Sequence, residues 1–156
     1  MEKDRELIII RDFDVTADVL WKYWTDVRLI QQWWGPKGVT NPICEWHAEP
    51  KGTIHIVMLA GKELGQMSGQ EWPMTGEFLE VKEPEKLVFT SRAIMNGKPI
   101  LENVVTVVFE EENGKTRMTV RIVVTKTTPE AAGPLQGMEM GWTQQMDKLQ
   151  EQIATK

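Results

Sequence analysis

One cysteine, Cys44, stands in a chain of 156 residues, which excludes an intramolecular disulfide and any zinc site built from several thiolates. No neighbouring motif activates it, so it reads as a small buried hydrophobe and not as a nucleophile. Positive charge is also short. The formal net charge is −5, and the small clusters at Lys37 and at Lys115-Thr116-Arg117 do not make the basic footprint that nucleic acid or an anionic membrane surface requires. No apolar run approaches the roughly 20 residues of a membrane span, and the opening Met1-Glu2-Lys3-Asp4-Arg5-Glu6 lacks the apolar stretch of a signal peptide. A cytoplasmic protein with no nucleic-acid partner and no membrane insertion is expected. Phosphate-binding loops, serine elbows, dinucleotide fingerprints and clustered metal ligands are absent too, so neither a metal nor a cofactor is expected.

What the chain has is large or adaptable apolar groups: seven tryptophans and nine methionines against one tyrosine. Such side chains line pockets for apolar ligands as readily as they fill cores. Trp33 and Trp34 are adjacent, and Gly35-Pro36 follows at once. If both indoles stay helical they diverge by about 100°, which predicts one in the core and the other at the mouth of a cavity. A chain this long buries about 68–70% of its unfolded surface, enough for one sizeable core. A single domain over residues 1–156 is expected.

Leu7 to Asp14 is β-branched and apolar enough for an opening strand. Thr16 is placed to cap a first helix carrying Val19, Leu20, Tyr23 and Trp24, and Asp26 to start a second that Gly35-Pro36 ends. A hairpin follows. With its turn centred on Lys51, Ala48 faces Ile54, Trp46 faces Ile56 and Cys44 faces Met58, leaving Glu45, His47 and His55 on the other side. Strands are predicted at Met74–Val81, Lys86–Arg92, Val104–Glu110 and Arg117–Thr125, with turns at Glu83-Pro84-Glu85 and Asn113-Gly114. Gly61 to Glu71, with its three glycines and no periodicity, reads as a flexible connection able to form a lid. Leu135, Met138, Trp142, Met146, Leu149 and Ile153 then mark one face of a long helix, in which Gly137 and Gly141 imply a packing or cavity reason for small residues.

This order predicts an α+β fold in which a curved antiparallel sheet of about seven strands wraps a long C-terminal helix and two short helices close one end. The gap between sheet and helix becomes a pocket. Its expected ligand-binding lining is Trp33, Trp34, Trp46, Ile56, Met58, Met74, Phe78, Phe89, Met118, Val120, Met138, Gly141, Trp142 and Met146. That set holds almost no acid or base for proton transfer, so no catalytic residue is assigned. Glu77, Glu80 and Arg92 can reach the rim but read equally as a solvated sheet face. His47, His55 and Glu45 have the composition of a two-His-one-carboxylate site, yet they fall on the outer face, where a solvated cross-strand pair is the expected reading.

Trp33-Trp34-Gly35-Pro36, Asn41-Pro42-x-Cys44-Glu45, Pro50-Lys51-Gly52, Pro84 to Thr90, Val105 to Glu111 and Gly137-x-x-x-Gly141-Trp142 together resemble the START-like helix-grip (SRPBCC) proteins. Within them the chain is similar to bacterial single-domain relatives of the heat-shock-protein-90 ATPase activator homologues. It departs from that pattern at Lys51, where a second glycine is common, at His47, where an acidic residue is expected, and in its long Gly61–Glu71 connection. The resemblance implies the helix-grip fold. It does not select a function, because that fold hosts lipid carriers, hormone receptors, polyketide cyclases and chaperone cofactors. The expected function is a carrier or sensor for a small apolar molecule, as a monomer or homodimer. A cyclase- or hydrolase-like enzyme and a protein-docking module are the alternatives, and direct activation of the chaperone is not expected.

Overall fold

Alternating apolar and polar side chains build about half of the chain into strands, and the computed structural model describes residues 6–154. The strands are β1 (Glu6–Phe13), β2 (Val39–Trp46), β3 (Thr53–Ala60), β4 (Glu71–Lys82), β5 (Lys86–Met95), β6 (Lys98–Glu112) and β7 (Lys115–Thr127). They form one antiparallel sheet in the order β1-β7-β6-β5-β4-β3-β2. Helices α1 (Ala17–Thr25) and α2 (Val27–Trp33) connect its two edge strands, β1 and β2. After β7 come a 3-10 turn at Pro129–Ala131, helix α3 (Ala132–Gln136) and helix α4 (Met138–Ala154).

Strand β6 shows why the sheet has an inside: Leu101, Asn103, Val105, Val107 and Phe109 are buried, while Glu102, Val104, Thr106 and Val108 between them are only half-buried. Phe78, Phe89, Met118, Val120 and Ile122 continue this inner face and join Met146 and Leu149 of α4 in one core cluster, against which Met138, Trp142 and Ile153 also pack. The 3.6-residue stripe of the C-terminal helix therefore faces the sheet. A smaller cluster of Ile100, Leu101, Val124 and Ala131 sits at the far end, with Ala93, Leu135 and Met138 against it.

Several local expectations change. Thr16 occupies the N-cap of α1 but its side chain makes no capping bond; Glu111 reaches over from β6 instead and its Oε1 accepts from Ala17 N at 2.9 Å. That puts a carboxylate at the positive end of the helix. Asp26 caps α2 as expected, accepting from Arg28 N. The long C-terminal helix is divided at Gly137, whose φ of −93° and ψ of 3° depart from helical geometry. The Gly61–Glu71 connection is not loose: it holds a 3-10 segment at Lys62–Met67, and Gly61 N, Ala60 N and Gly69 N all donate to backbone carbonyls, of Gly38, Gln70 and Ala60. A lid there would have to break those bonds.

The β2–β3 hairpin is shifted by two residues from its expected register, pairing Trp46 with Ile54, Glu45 with His55 and Cys44 with Ile56. The reason is a longer turn, in which His47 N donates to Thr53 O, Glu49 N to His47 O and Gly52 N to Glu49 O. A shift of two keeps every side chain on its face, so Trp46, Ile54 and Ile56 remain inward and buried. Lys51 adopts a left-handed φ of 67°, a conformation that glycine tolerates and other residues do not favour. Lys51→Gly should raise stability by up to about 1 kcal/mol, the relief of strain less the added flexibility of the unfolded chain. A urea midpoint that falls would contradict this account of the turn.

Candidate functional site

The tryptophan pair is held by the C-terminal helix. Trp33 ends α2, and Trp34 leaves helical geometry with φ −68° and ψ 143°. Both indoles are consequently buried, at 0% and 3% exposure, and the expected division into one core ring and one ring at a cavity mouth is not found. Gly35 follows with φ +90°, and a Cβ there would lie 2.6 Å from Val39 Cγ2, so glycine is required both for the turn and for the close approach. Gln145 Oε1 accepts from Gly35 N at 2.6 Å and Gln144 Oε1 from Lys37 N at 3.0 Å. Lys148 Nζ donates to the carbonyls of Trp34, Gly35 and Pro36 at 3.2, 3.2 and 3.4 Å. Burial pushes the Lys148 ammonium below the ordinary lysine range, and the carbonyls at the end of α2 complement its charge.

Inside the grip the rings interlock. Trp34 lies 5.2 Å from Trp46 and 5.6 Å from Trp142, and Trp46 lies 5.2 Å from Phe78 and 5.1 Å from Phe89, centroid to centroid. Indole donors find partners: Trp33 Nε1 donates to Tyr23 O at 2.9 Å and Trp46 Nε1 to Trp24 O at 2.7 Å. Of the expected lining residues, Trp33, Trp34, Trp46, Ile56, Met74, Phe78, Phe89, Met118, Val120 and Met146 are buried members of the core cluster, and Met58, Met138 and Trp142 pack against it partly exposed. Gly141 is half-buried, with no atom within 4 Å of where its Cβ would stand. The structure thus brings the expected residues together, densest at the α1–α2 end.

Toward the other end the inner face changes character. Two residues beyond Phe89 stands Ser91, directly opposite Asn103, which in turn pairs with Val124. Asn103 is buried at 7% exposure and its Oδ1 has no hydrogen-bond partner among the described residues. Leu101 and Val124 also line a half-open groove of about 680 Å³ that runs past Arg92, Ile100, Glu102 and Thr128. The helix above is sparse there: Gly133 and Gly137 are exposed. Sequence reasoning missed Ser91 and Asn103. The signal was available for Asn103, the polar member of the alternating series 101, 103, 105, 107, 109, but taking β6 to begin at Val104 left it out.

The charged candidates lie elsewhere. Arg92 Nε donates to Glu102 Oε2 at 2.8 Å and its Nη2 lies 3.6 Å from Glu77 Oε1, while Glu80 pairs with Lys86 at 3.4 Å. These are half-exposed pairs of the outer face, apart from Arg92 and Glu102, which reach the groove. His55 Nδ1 lies 3.7 Å from Glu45 Oε1, and His47 lies beyond the strand in the turn, so the expected facing histidine pair does not form. Among the described residues no three His, Cys, Asp or Glu side chains are grouped to hold a metal ion. Burial pushes the Cys44 thiol up to about 11. Alkylation by iodoacetamide at pH 8 should therefore run about a hundredfold slower in the folded protein than in urea, following the thiolate fraction; equal rates would contradict the assignment.

No helix among the described residues is long and apolar enough to cross a membrane. Residues 14–154 match the family model described as Activator of Hsp90 ATPase homolog 1-like protein. No curated protein matches the chain. Among solved structures, one from Arthrobacter aurescens is 20% identical with a TM-score of 0.84, over 100% of this chain and 90% of that one. The AHSA1 protein of Silicibacter pomeroyi is 24% identical with a TM-score of 0.80, over 96% and 98%. A Chromobacterium violaceum protein is 19% identical with a TM-score of 0.81, over 96% of both chains. At these identities the likeness shows the helix-grip fold.

Proposed function

The chain belongs to the Activator of Hsp90 ATPase homolog 1-like protein family, and from that premise we propose that it is a cytoplasmic carrier or sensor that binds a small, mainly apolar molecule between its sheet and α4 without transforming it. The observation that carries this reading is the uneven closure of the grip. At the α1–α2 end the rings of Trp34, Trp46, Phe78 and Phe89 fill the interior. At the other end small Ser91 and Ala93 replace the rings, Met138 and Trp142 are only half-buried, and Ala93 and Met138 pack against the cluster whose Leu101 and Val124 border the groove. Methionine and tryptophan at that boundary adapt to an apolar guest at little cost in packing. The charged groups that the inner face presents, Arg11 and Glu111, are engaged with α4 and with the start of α1, and none stands among the expected lining residues, which supports binding over turnover.

Titration of the full chain with N-phenyl-1-naphthylamine tests this. At about 0.3 kcal/mol per non-hydrogen atom, the yield typical of drug-sized ligands, its Kd should fall below about 0.2 mM, with one-to-one saturation and quenching of tryptophan fluorescence. A linear, non-saturating response would contradict the proposal.

A further inference from the structure

We infer that the molecule held in the grip carries a hydrogen-bond donor, a hydroxyl or an N–H, on its apolar body, and that Asn103 Oδ1 receives it. This rests on the proposed binding between the sheet and α4, and it adds what kind of molecule is bound. Asn103 lies on the inner face of β6, between Leu101 of the smaller cluster and Val105 of the main core. Met138 of α4 packs against both clusters, so the asparagine sits where the helix passes from one to the other. Its Oδ1 is buried without a donor.

Other buried amides in this protein are braces. Asn41 Nδ2 donates to Gln31 O at 2.9 Å and Trp34 O at 3.0 Å, and Gln145 Oε1 accepts from Gly35 N, so each fixes the tryptophan loop even though its other amide atom is unpartnered. Asn103 makes no such bond among the described residues. An acceptor buried without a donor disfavours folding, and a leucine would suit the apolar neighbours Leu101, Val105 and Val124 better. The amide therefore does nothing for the fold that an aliphatic side chain would not do, and its place beside the groove wall gives it a ligand to meet. Ser91, opposite it in register, supplies a hydroxyl on the same face.

The test uses three probes of one shape: 2-naphthol, which donates; 2-methoxynaphthalene, which only accepts; and 2-methylnaphthalene, which does neither. Asn103→Leu should weaken 2-naphthol by about tenfold and leave the other two within about twofold, the expected worth of one hydrogen bond to a buried acceptor. Equal weakening of all three would reduce Asn103 to a matter of shape and overturn the inference. Weakening of both 2-naphthol and 2-methoxynaphthalene, with 2-methylnaphthalene unchanged, would mean that the amide donates to an oxygen that both carry, and would overturn it too. In the wild-type protein, which needs no variant to fold, the Asn103 side-chain carbonyl carbon should shift on adding 2-naphthol and not on adding 2-methylnaphthalene; the same response to both would overturn it. If none of the three binds the wild type while N-phenyl-1-naphthylamine does, the donor inference fails alone. If none of the four binds, the proposed function fails with it.

Discussion

Trp34→Ala is expected to cost about 3–5 kcal/mol of stability, the range for deleting a buried aromatic ring. The indole is 3% exposed and packs against Trp33, Trp46, Phe89 and Trp142, so alanine leaves a void bordered by rings from α2, β2, β5 and α4 that cannot all close on it. Against a total of about 5–15 kcal/mol for a typical domain, this brings the protein close to unfolding at ordinary temperature. Trp142→Ala should cost less, because that ring is already half-exposed. Urea unfolding followed by circular dichroism gives both numbers. Equal and small losses would mean that the aromatic end is not the structural anchor described above.

Gly141→Leu should separate binding from folding. Nothing lies within 4 Å of the added Cβ, and leucine is favoured over glycine inside a helix by up to about 1 kcal/mol. Stability should hold or rise. Gly141 lies on the flank of the buried stripe of α4, one turn before Gln145 and beside Trp142, and the proposed binding mode puts the apolar guest against this flank. Binding of N-phenyl-1-naphthylamine should weaken by about tenfold or more, roughly the effect of removing one well-placed contact. Unchanged affinity in a folded variant would remove Gly141 from the site.

Periodicity carried most of the fold. The switch from alternation in β6 and β7 to the spacing of Met138, Trp142, Met146 and Leu149 is dictated by which positions meet the core, and those residues do face the sheet. Turns were less legible. Asn113-Gly114 was read, and its two positive φ angles fit a tight hairpin. Asn96-Gly97 is the same signal with φ of 54° and 76°, but without it β5 was ended at Arg92 and β6 begun at Val104, too short by several residues each. That omission hid Asn103. The hairpin at Pro50 went wrong by two residues because a turn's length depends on its own backbone hydrogen bonds, which side-chain alternation does not report. The fate of Trp34 depended on a single ψ angle, at which the chain leaves α2 and swings the second indole inward.

The site was legible as a set of residues that come together, and not as a distribution of space among them. Alternation assigns Trp46, Phe78 and Phe89 to the inner face; it cannot tell whether their rings leave a gap. In the fold they meet at 5.1–5.7 Å, and none of them lines the groove that Leu101 and Val124 border.

Amide chemical shifts of the isotopically labelled protein during titration with N-phenyl-1-naphthylamine test the central claim most directly. The account predicts saturable shifts concentrated at Ser91, Leu101, Asn103, Val124, Met138, Gly141 and Trp142. Shifts centred instead on the exposed outward residues Ile8 and Ile10 of β1, or no saturable shifts at all, would contradict it.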